Sequence, residues 1–136
     1  MRDNSPVLLV EDDLVDAMTV SRSFQDLDIT NKIEHCVNGV EALARLQEMT
    51  TKPSIILLDI NMPKMNGIEF LERIKKAEEY LSIPVVVLTT SNDDRDKMES
   101  YNLGIAGYML KPVDYQQFVQ IMRNINVYWT LSELPN

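Results

Sequence analysis

The sequence has little of what a secreted, membrane-spanning or nucleic-acid-binding protein would need. It contains one cysteine, Cys36, among 136 residues, which excludes an intrachain disulfide or a cysteine metal cluster and is typical of a reducing compartment. The longest apolar runs, such as Ile55–Leu58, are far too short to span a bilayer, and no run of signal-peptide kind follows the N-terminus. Basic residues are also scarce, because 13 Lys and Arg stand against 21 Asp and Glu. The net charge of −8 disfavours contact with nucleic acid or anionic lipid, so we expect a cytoplasmic protein without direct nucleic-acid or membrane binding.

What the sequence does contain is the composition of one folded domain. It is 45% hydrophobic and 25% charged, close to the average of globular proteins, so a packed core is expected. There is no internal repeat, low-complexity tract or Gly/Ser linker, and the length is that of a single domain. We therefore expect one domain over residues 1–136, with a core from about 5 to 128 and no second domain.

Short apolar runs alternate five times with segments of helical periodicity. The strand-like runs are residues 6–10, 32–37, 55–59, 84–89 and 106–110, and the helix-like segments are 14–27, 40–46, 67–76, 93–102 and 115–129. Strands that are apolar on both faces and are joined by helices indicate a parallel sheet covered on both sides. Right-handed crossovers then make the fold an α/β doubly wound sandwich of five strands and five helices.

Polar residues stand where four of these strands end. Glu11, Asp12 and Asp13 follow the first strand, Asp59 ends the third, Thr89, Thr90 and Ser91 end the fourth, and Lys111 and Pro112 follow the fifth. Doubly wound sheets bind ligands at the carboxyl ends of their strands, so these side chains are expected at one rim. Taken singly, the acidic residues are ordinary turn formers, and Asp13 is a good N-cap for the first helix.

The joint placement at this rim favours phosphoryl chemistry. Close carboxylates need a compensating cation, and a ligand set made only of oxygens suits Mg²⁺. Aspartate can act as a nucleophile and form an aspartyl-phosphate, with the metal neutralising the phosphoryl oxygens. The ammonium of Lys111 and the hydroxyl of Thr89 could hold the other phosphoryl oxygens.

Four motifs resemble one known family. They are LVED at residues 9–12, LLDINMPKMNG at 57–67, VVLT at 86–89 and GYMLKP at 107–112. Together they are similar to the receiver domain of two-component response regulators, over essentially the whole chain and in its single-domain form. The chain also resembles the subgroup that partners phytochrome-type histidine kinases, in its Glu11-Asp12-Asp13 start, its run from Leu88 to Ser91 and its tail with Tyr128, Trp129, Thr130, Leu131, Leu134 and Pro135.

The resemblance implies a flavodoxin-like fold with strand order 2-1-3-4-5, and it assigns the acceptor and the metal ligands. Asp59 matches the phosphoacceptor. Glu11 and Asp12 match the acidic pair that binds Mg²⁺ together with Asp59, and the backbone carbonyl of Asn61 matches a further ligand. Lys111 matches the lysine that binds the phosphoryl group.

The resemblance also assigns a switch. Thr89 matches the switch hydroxyl and Tyr108 the switch aromatic, while Asn61 and Ser91 match positions that tune the lifetime of the phosphate. The Lys111–Pro112 bond matches a peptide bond that is cis in the family, and X–Pro bonds are where that geometry is plausible.

The predicted function is therefore a phosphorylation-dependent response regulator that takes a phosphoryl group from a sensor histidine kinase and acts on a downstream protein. Such a protein assists its own phosphotransfer and dephosphorylation but is not an enzyme in the usual sense. A phosphatase of the haloacid-dehalogenase type would want a second aspartate where Asn61 stands. A receiver-like interaction module that is never phosphorylated would lack part of the acidic pair, the acceptor or the lysine, and all are present.

The last helix has an apolar stripe of Tyr115, Phe118, Met122, Ile125 and Trp129, which should face the sheet. Ile121 and Tyr128 lie beside this stripe, either flanking the core or forming a partner face. A partner face would serve a homodimer or the kinase, beside Tyr108. The protein is expected to be a monomer or a homodimer through helix four, strand five and helix five. His35 is expected to have a structural role, because a phosphodonor histidine would stand on an exposed helix.

Overall fold

Residues 4–132 are described by a computed structural model, and residues 1–3 and 133–136, including Leu134 and Pro135, lie outside the described part. The strands are β1 (Val7–Val10), β2 (Ile33–Cys36), β3 (Ile55–Leu58), β4 (Val85–Thr89) and β5 (Gly107–Leu110). The helices are α1 (Leu14–Asp26), α2 (Gly39–Glu48), α3 (Gly67–Ile74), α4 (Asp94–Asn102) and α5 (Tyr115–Leu131), with a 3₁₀ turn at Glu78–Tyr80. All ten predicted elements are present, with bounds that differ from the prediction by at most two residues.

Local sequence explains where the helices begin. Each is preceded by an Asp or Asn whose side chain accepts a hydrogen bond from a backbone N–H of the first helical turn; these residues are Asp13, Asn38, Asn66, Asp93 and Asp114. Asn66 forms a reciprocal capping box with Glu69. The predicted N-cap role of Asp13 is confirmed, since its carboxylate accepts from Val15 and Asp16.

The five strands form one parallel sheet in the order β2-β1-β3-β4-β5, as the resemblance implied. Every residue of β1, β3 and β4 is buried, whereas β2 and β5, at the two edges, are mostly half-buried. The order reverses between β1 and β3, so the carboxyl ends of these two neighbouring strands meet at the switch point where such sheets bind ligands.

The core lies in two layers, one on each face of the sheet. Alternate residues of β1 enter different layers: Leu8 and Val10 pack with α2 and α3, and Val7 and Leu9 pack with α1 and α5. The α5 stripe behaves as predicted at its centre, where Phe118, Met122 and Ile125 are buried. No helix within residues 4–132 has the length and apolar character that a membrane crossing needs.

Ile121 is partly buried against the α1–α5 core layer and so flanks the core, the first of the two alternatives, whereas Tyr128 is 61% exposed. One expectation is corrected by the structure. No peptide bond in the described range 4–132 is cis, so the Lys111–Pro112 bond is trans. The trans isomer is the one that X–Pro bonds favour by about 0.5–1 kcal/mol.

Candidate functional site

The backbone ladder of the sheet continues past the strand ends and sets the positions of the polar residues. The N–H of Asp59 donates to the carbonyl of Val10 at 3.0 Å, which places Asp59 beside the end of β1. The N–H of Lys111 donates to the carbonyl of Thr89 at 2.8 Å, which joins the ends of β4 and β5 in the same way. These two bonds, together with the pairing of β3 with β4, bring the polar residues to one rim of the sheet.

An acidic cluster forms at this rim. Glu11, Asp12 and Asp59 each offer a carboxylate oxygen, and these oxygens lie within 4.8 Å of one another. Glu11 and Asp59 are buried, at 3% and 8% exposure, while Asp12 is exposed. Three hard oxygen donors, two held at the core edge and one open to solvent, fit a Mg²⁺ ion that keeps several waters. Asn61, the expected carbonyl ligand, is exposed in the loop after β3.

The two carboxylate oxygens of Asp59 have different surroundings. Oδ1 accepts a hydrogen bond from the backbone N–H of Ile60 at 2.8 Å. Oδ2 lies 3.5 Å from Nζ of Lys111, which is within ion-pair distance but long for a hydrogen bond. Oδ2 is therefore the oxygen of Asp59 that is less engaged and better placed to react.

Lys111 has closer partners than Asp59. Its Nζ donates to Oε1 of Glu11 at 2.5 Å and to Oδ2 of Asp16 at 2.8 Å, and its side chain is only 10% exposed. Asp16 was not singled out from the sequence. An acid in the first turn of a helix is common because it complements the helix dipole, so its type and position carried no sign of a contact 95 residues away.

Burial and neighbouring charges shift the pKa values of Glu11 and Lys111. Burial raises the pKa of Glu11 to about 7, because desolvation and the charge of Asp59 outweigh the hydrogen bond and charge of Lys111 and the hydrogen bond from the N–H of Asp13. Burial alone would lower the pKa of Lys111, but its hydrogen bonds to Asp16 and Glu11 and the charge of Asp59 raise that pKa above its ordinary value. Lys111 is thus a permanent cation inside an anionic site.

The backbone of Asp59 is pressed against the first residue of α3. A Cβ atom placed on Gly67 would lie 2.3 Å from the carbonyl oxygen of Asp59 and 2.9 Å from Cα of Ile60. The N–H of Gly67 also donates to the carbonyl of Ile60 at 2.9 Å. Only glycine fits between α3 and the segment that carries Asp59.

Ser91 connects the two residues expected to form a switch. Thr89 is fully buried, and its hydroxyl accepts from the N–H of Ser91 at 3.2 Å. The hydroxyl of Tyr108 donates to the carbonyl of the same Ser91 at 2.9 Å, with the ring packed against the α2–α3 core layer. The Ser91 hydroxyl in turn donates to Asp96 of α4 at 2.6 Å. Sequence reasoning named these residues separately and missed the direct link.

The site opens beside an apolar surface. A groove between α1 and the loop after β5 is lined by Val15, Asp16, Lys111 and Val113 among others. Leu14, Val15 and Met18 of α1 are 64%, 70% and 70% exposed, and Val113 is fully exposed.

His35 has the contact of a structural histidine. Its Nε2 donates to the backbone carbonyl of Glu11 at 2.7 Å.

Comparison with known proteins gives consistent results. The chain matches the family described as response regulator receiver domain over residues 7–123. The probable methanogenesis regulatory protein FilR2 of Methanothrix harundinacea is 39% identical over 127 residues, covering 90% of this chain and 82% of that protein. The crystal structure of the phosphorylated cyanobacterial phytochrome response regulator RcpA is 31% identical with a TM-score of 0.91, covering 98% of this chain and 100% of that one. The Mn²⁺-bound form of response regulator Rcp1 is 33% identical with a TM-score of 0.87, covering 97% and 99%.

Proposed function

Because this chain belongs to the response regulator receiver domain family of two-component signalling proteins, we propose that Oδ2 of Asp59 accepts a phosphoryl group from a phosphohistidine of a sensor kinase. The observation that carries this assignment is that Asp59 belongs to the acidic cluster with Glu11 and Asp12 while its Oδ2 lies 3.5 Å from the ammonium of Lys111. Attack of Oδ2 on phosphorus forms the new P–O bond as the P–N bond breaks, and the electron pair of that bond returns to the imidazole.

The other residues of the site bind and balance charge. Mg²⁺ held by Glu11, Asp12, Asp59 and the carbonyl of Asn61 would neutralise the transferring phosphoryl oxygens. Lys111 is charged throughout and can donate to one phosphoryl oxygen. Asn61 and Ser91, two residues after Asp59 and Thr89, set the access of water and hence the lifetime of the phosphate.

We propose that the switch runs through Ser91. A phosphoryl oxygen that takes the hydroxyl of Thr89 removes it from the N–H of Ser91, whose carbonyl holds Tyr108 and whose hydroxyl holds Asp96. The α4–β5–α5 surface, where Tyr101 and Leu110 are exposed, then changes for a downstream protein or a second copy of the chain. In Thr89→Ala, phosphorylation should no longer shift the NMR resonances of Tyr108, and shifts of wild-type size would contradict this coupling.

The kinase should dock on the apolar face of α1. Phosphotransfer requires the phosphohistidine to reach Asp59 directly, and Leu14, Val15 and Met18 are exposed apolar residues of α1, the helix that begins next to the site. RcpA is a phytochrome response regulator, so we propose a phytochrome-type kinase as the donor, in the cytoplasm. Met18→Asp should leave phosphorylation by acetyl phosphate unchanged and slow phosphotransfer from the kinase; equal slowing of both reactions would place Met18 elsewhere in the mechanism.

The test of the function is incubation with acetyl phosphate and Mg²⁺ followed by intact-mass measurement. We expect an adduct of one phosphoryl group that is absent in Asp59→Asn and absent in excess EDTA. Asp94→Asn, which removes a charge from the exposed start of α4, is the matched control and should be labelled normally. No adduct in the wild type would favour an interaction module, and continuous phosphate release without an adduct would favour a phosphatase.

A further inference from the structure

Asp16 lies at the opening of the site without belonging to the acidic cluster that fits a metal. It is in the first turn of α1, and its side chain is 38% exposed. Its Oδ2 accepts from Nζ of Lys111 at 2.8 Å, closer than the 3.5 Å that separates Nζ from Asp59. The carboxylate therefore holds the catalytic lysine more closely than the acceptor does.

A lysine ammonium has three N–H groups, and two of those of Lys111 have hydrogen-bond partners. Glu11 takes one at 2.5 Å and Asp16 takes a second at 2.8 Å. The third is left for the side of Asp59, where the distance of 3.5 Å is too long for a good hydrogen bond. Two anchors on different elements, the end of β1 and the start of α1, fix the direction of this third donor.

We propose that Asp16 is the positioning residue for Lys111, which it holds off Asp59 so that one N–H remains available to the incoming phosphoryl oxygen. This inference rests on the proposed phosphoacceptor role of Asp59. Without Asp16 the ammonium keeps only Glu11 as an anchor and is drawn onto Oδ2 of Asp59, the nearest remaining anion. Pairing there occupies the nucleophile and misdirects the donor, and both effects slow phosphorylation.

The experiment compares wild type with Asp16→Ala, Asp16→Asn and the control Asp26→Asn. The rate constant of phosphorylation by acetyl phosphate with Mg²⁺ should fall about 10-fold in Asp16→Ala, the effect of losing one charge-assisted hydrogen bond. Asp16→Asn keeps an acceptor oxygen and should recover part of the rate. Asp26→Asn removes the same charge from the other end of α1, where Asp26 contacts Tyr115, and should react as wild type.

A second readout separates positioning from mere stability. The ¹⁵N resonance of the Lys111 ammonium, which is shielded and hydrogen-bonded, should be visible in wild type and in Asp26→Asn and be shifted or lost in Asp16→Ala. An unchanged or faster phosphorylation of Asp16→Ala overturns the proposal, as does a slower rate with an unchanged Lys111 resonance. If Asp16→Ala does not fold, the same two outcomes are read from Asp16→Asn.

The failure of the proposed function is seen separately. If the wild type takes up no phosphoryl group on Asp59, the acceptor role is wrong. If the wild type is labelled and Asp16→Ala is labelled equally fast, only the role of Asp16 is wrong.

Discussion

Because Gly67 lies against the backbone of Asp59, we expect Gly67→Ala to destabilise the protein, which is the opposite of the usual effect of this substitution in a helix. Replacing glycine by alanine inside a helix normally stabilises it by up to about 1 kcal/mol. In Gly67→Ala the added Cβ would stand 2.3 Å from the carbonyl oxygen of Asp59, whereas ordinary contact begins at 3.4 Å. The start of α3 and the backbone of Asp59 must therefore separate by about 1 Å, and both belong to well-packed elements.

Forcing one methyl group into a packed site costs about 1–3 kcal/mol, so we expect Gly67→Ala to lose about 2 kcal/mol of unfolding free energy. With an unfolding entropy of about 2.1 cal/mol/K per residue, this corresponds to a fall in Tm of about 7 °C. Displacement of the acceptor by about 1 Å should also slow phosphorylation by at least about 10-fold.

The assay is thermal unfolding followed by circular dichroism, with phosphorylation by acetyl phosphate measured on the same samples. Gly107→Ala is the matched control, because a Cβ on Gly107 in β5 meets no atom within 4 Å. Its Tm should stay within a few degrees of the wild type. If Gly67→Ala has the same Tm as wild type or a higher one, the close approach to Asp59 does not constrain this position.

Three further predictions concern other parts of the molecule. Burial raises the pKa of the Cys36 thiol to about 11, so the native protein should not react with a thiol reagent at pH 8, whereas the unfolded chain should react at once. Because the thiol ionises near pH 9 in the unfolded chain, the free energy of unfolding should fall as the pH rises from 9 to 11. Ile121→Asp should cost about 2 kcal/mol and Tyr128→Asp less than about 0.5 kcal/mol, because only Ile121 packs on the core; equal effects in denaturant titrations would contradict that placement. Lys111→Met should lose about 3 kcal/mol of stability, because the buried carboxylates of Glu11 and Asp59 lose their cation. Its phosphorylation should also be nearly abolished, and a rate like that of the wild type would show that Lys111 has no part in phosphoryl transfer.

The fold could be predicted from the sequence because its signals are local and repeated. Apolar runs such as Ile55–Leu58 have no polar face, which requires a strand covered on both sides, and Asp or Asn precedes each of α1 to α5. The sheet order came from the resemblance, because apolar periodicity does not say which strands are neighbours. At the C-terminal end, periodicity alone could not tell a residue that flanks the core from one on a free face, and Ile121 and Tyr128 differ in this respect.

The acidic cluster could be predicted because the rule on strand ends places Glu11, Asp12 and Asp59 together without any knowledge of side-chain conformation. The hydrogen-bond partners of the Lys111 ammonium could not be predicted from the sequence. A lysine side chain has four rotatable bonds, and its choice between Asp16 and Asp59 depends on distances of a few tenths of an ångström to 1 Å. The bond from Tyr108 to the carbonyl of Ser91 was missed for a similar reason, since any residue type could supply that carbonyl.

The strand order has a consequence for local opening of the protein. Asp59 follows β3, which is paired on both sides and fully buried, whereas Lys111 follows β5, which pairs only with β4 and is half-exposed. Amide hydrogen exchange should therefore be slowest in β3 and fast in β5, with β5 opening at a lower free energy than the whole domain. Each such opening withdraws the lysine from the acceptor while the rest of the sheet stays intact. The half-life of the phosphate should then depend on events at the outer edge of the sheet as well as on the residues that touch it.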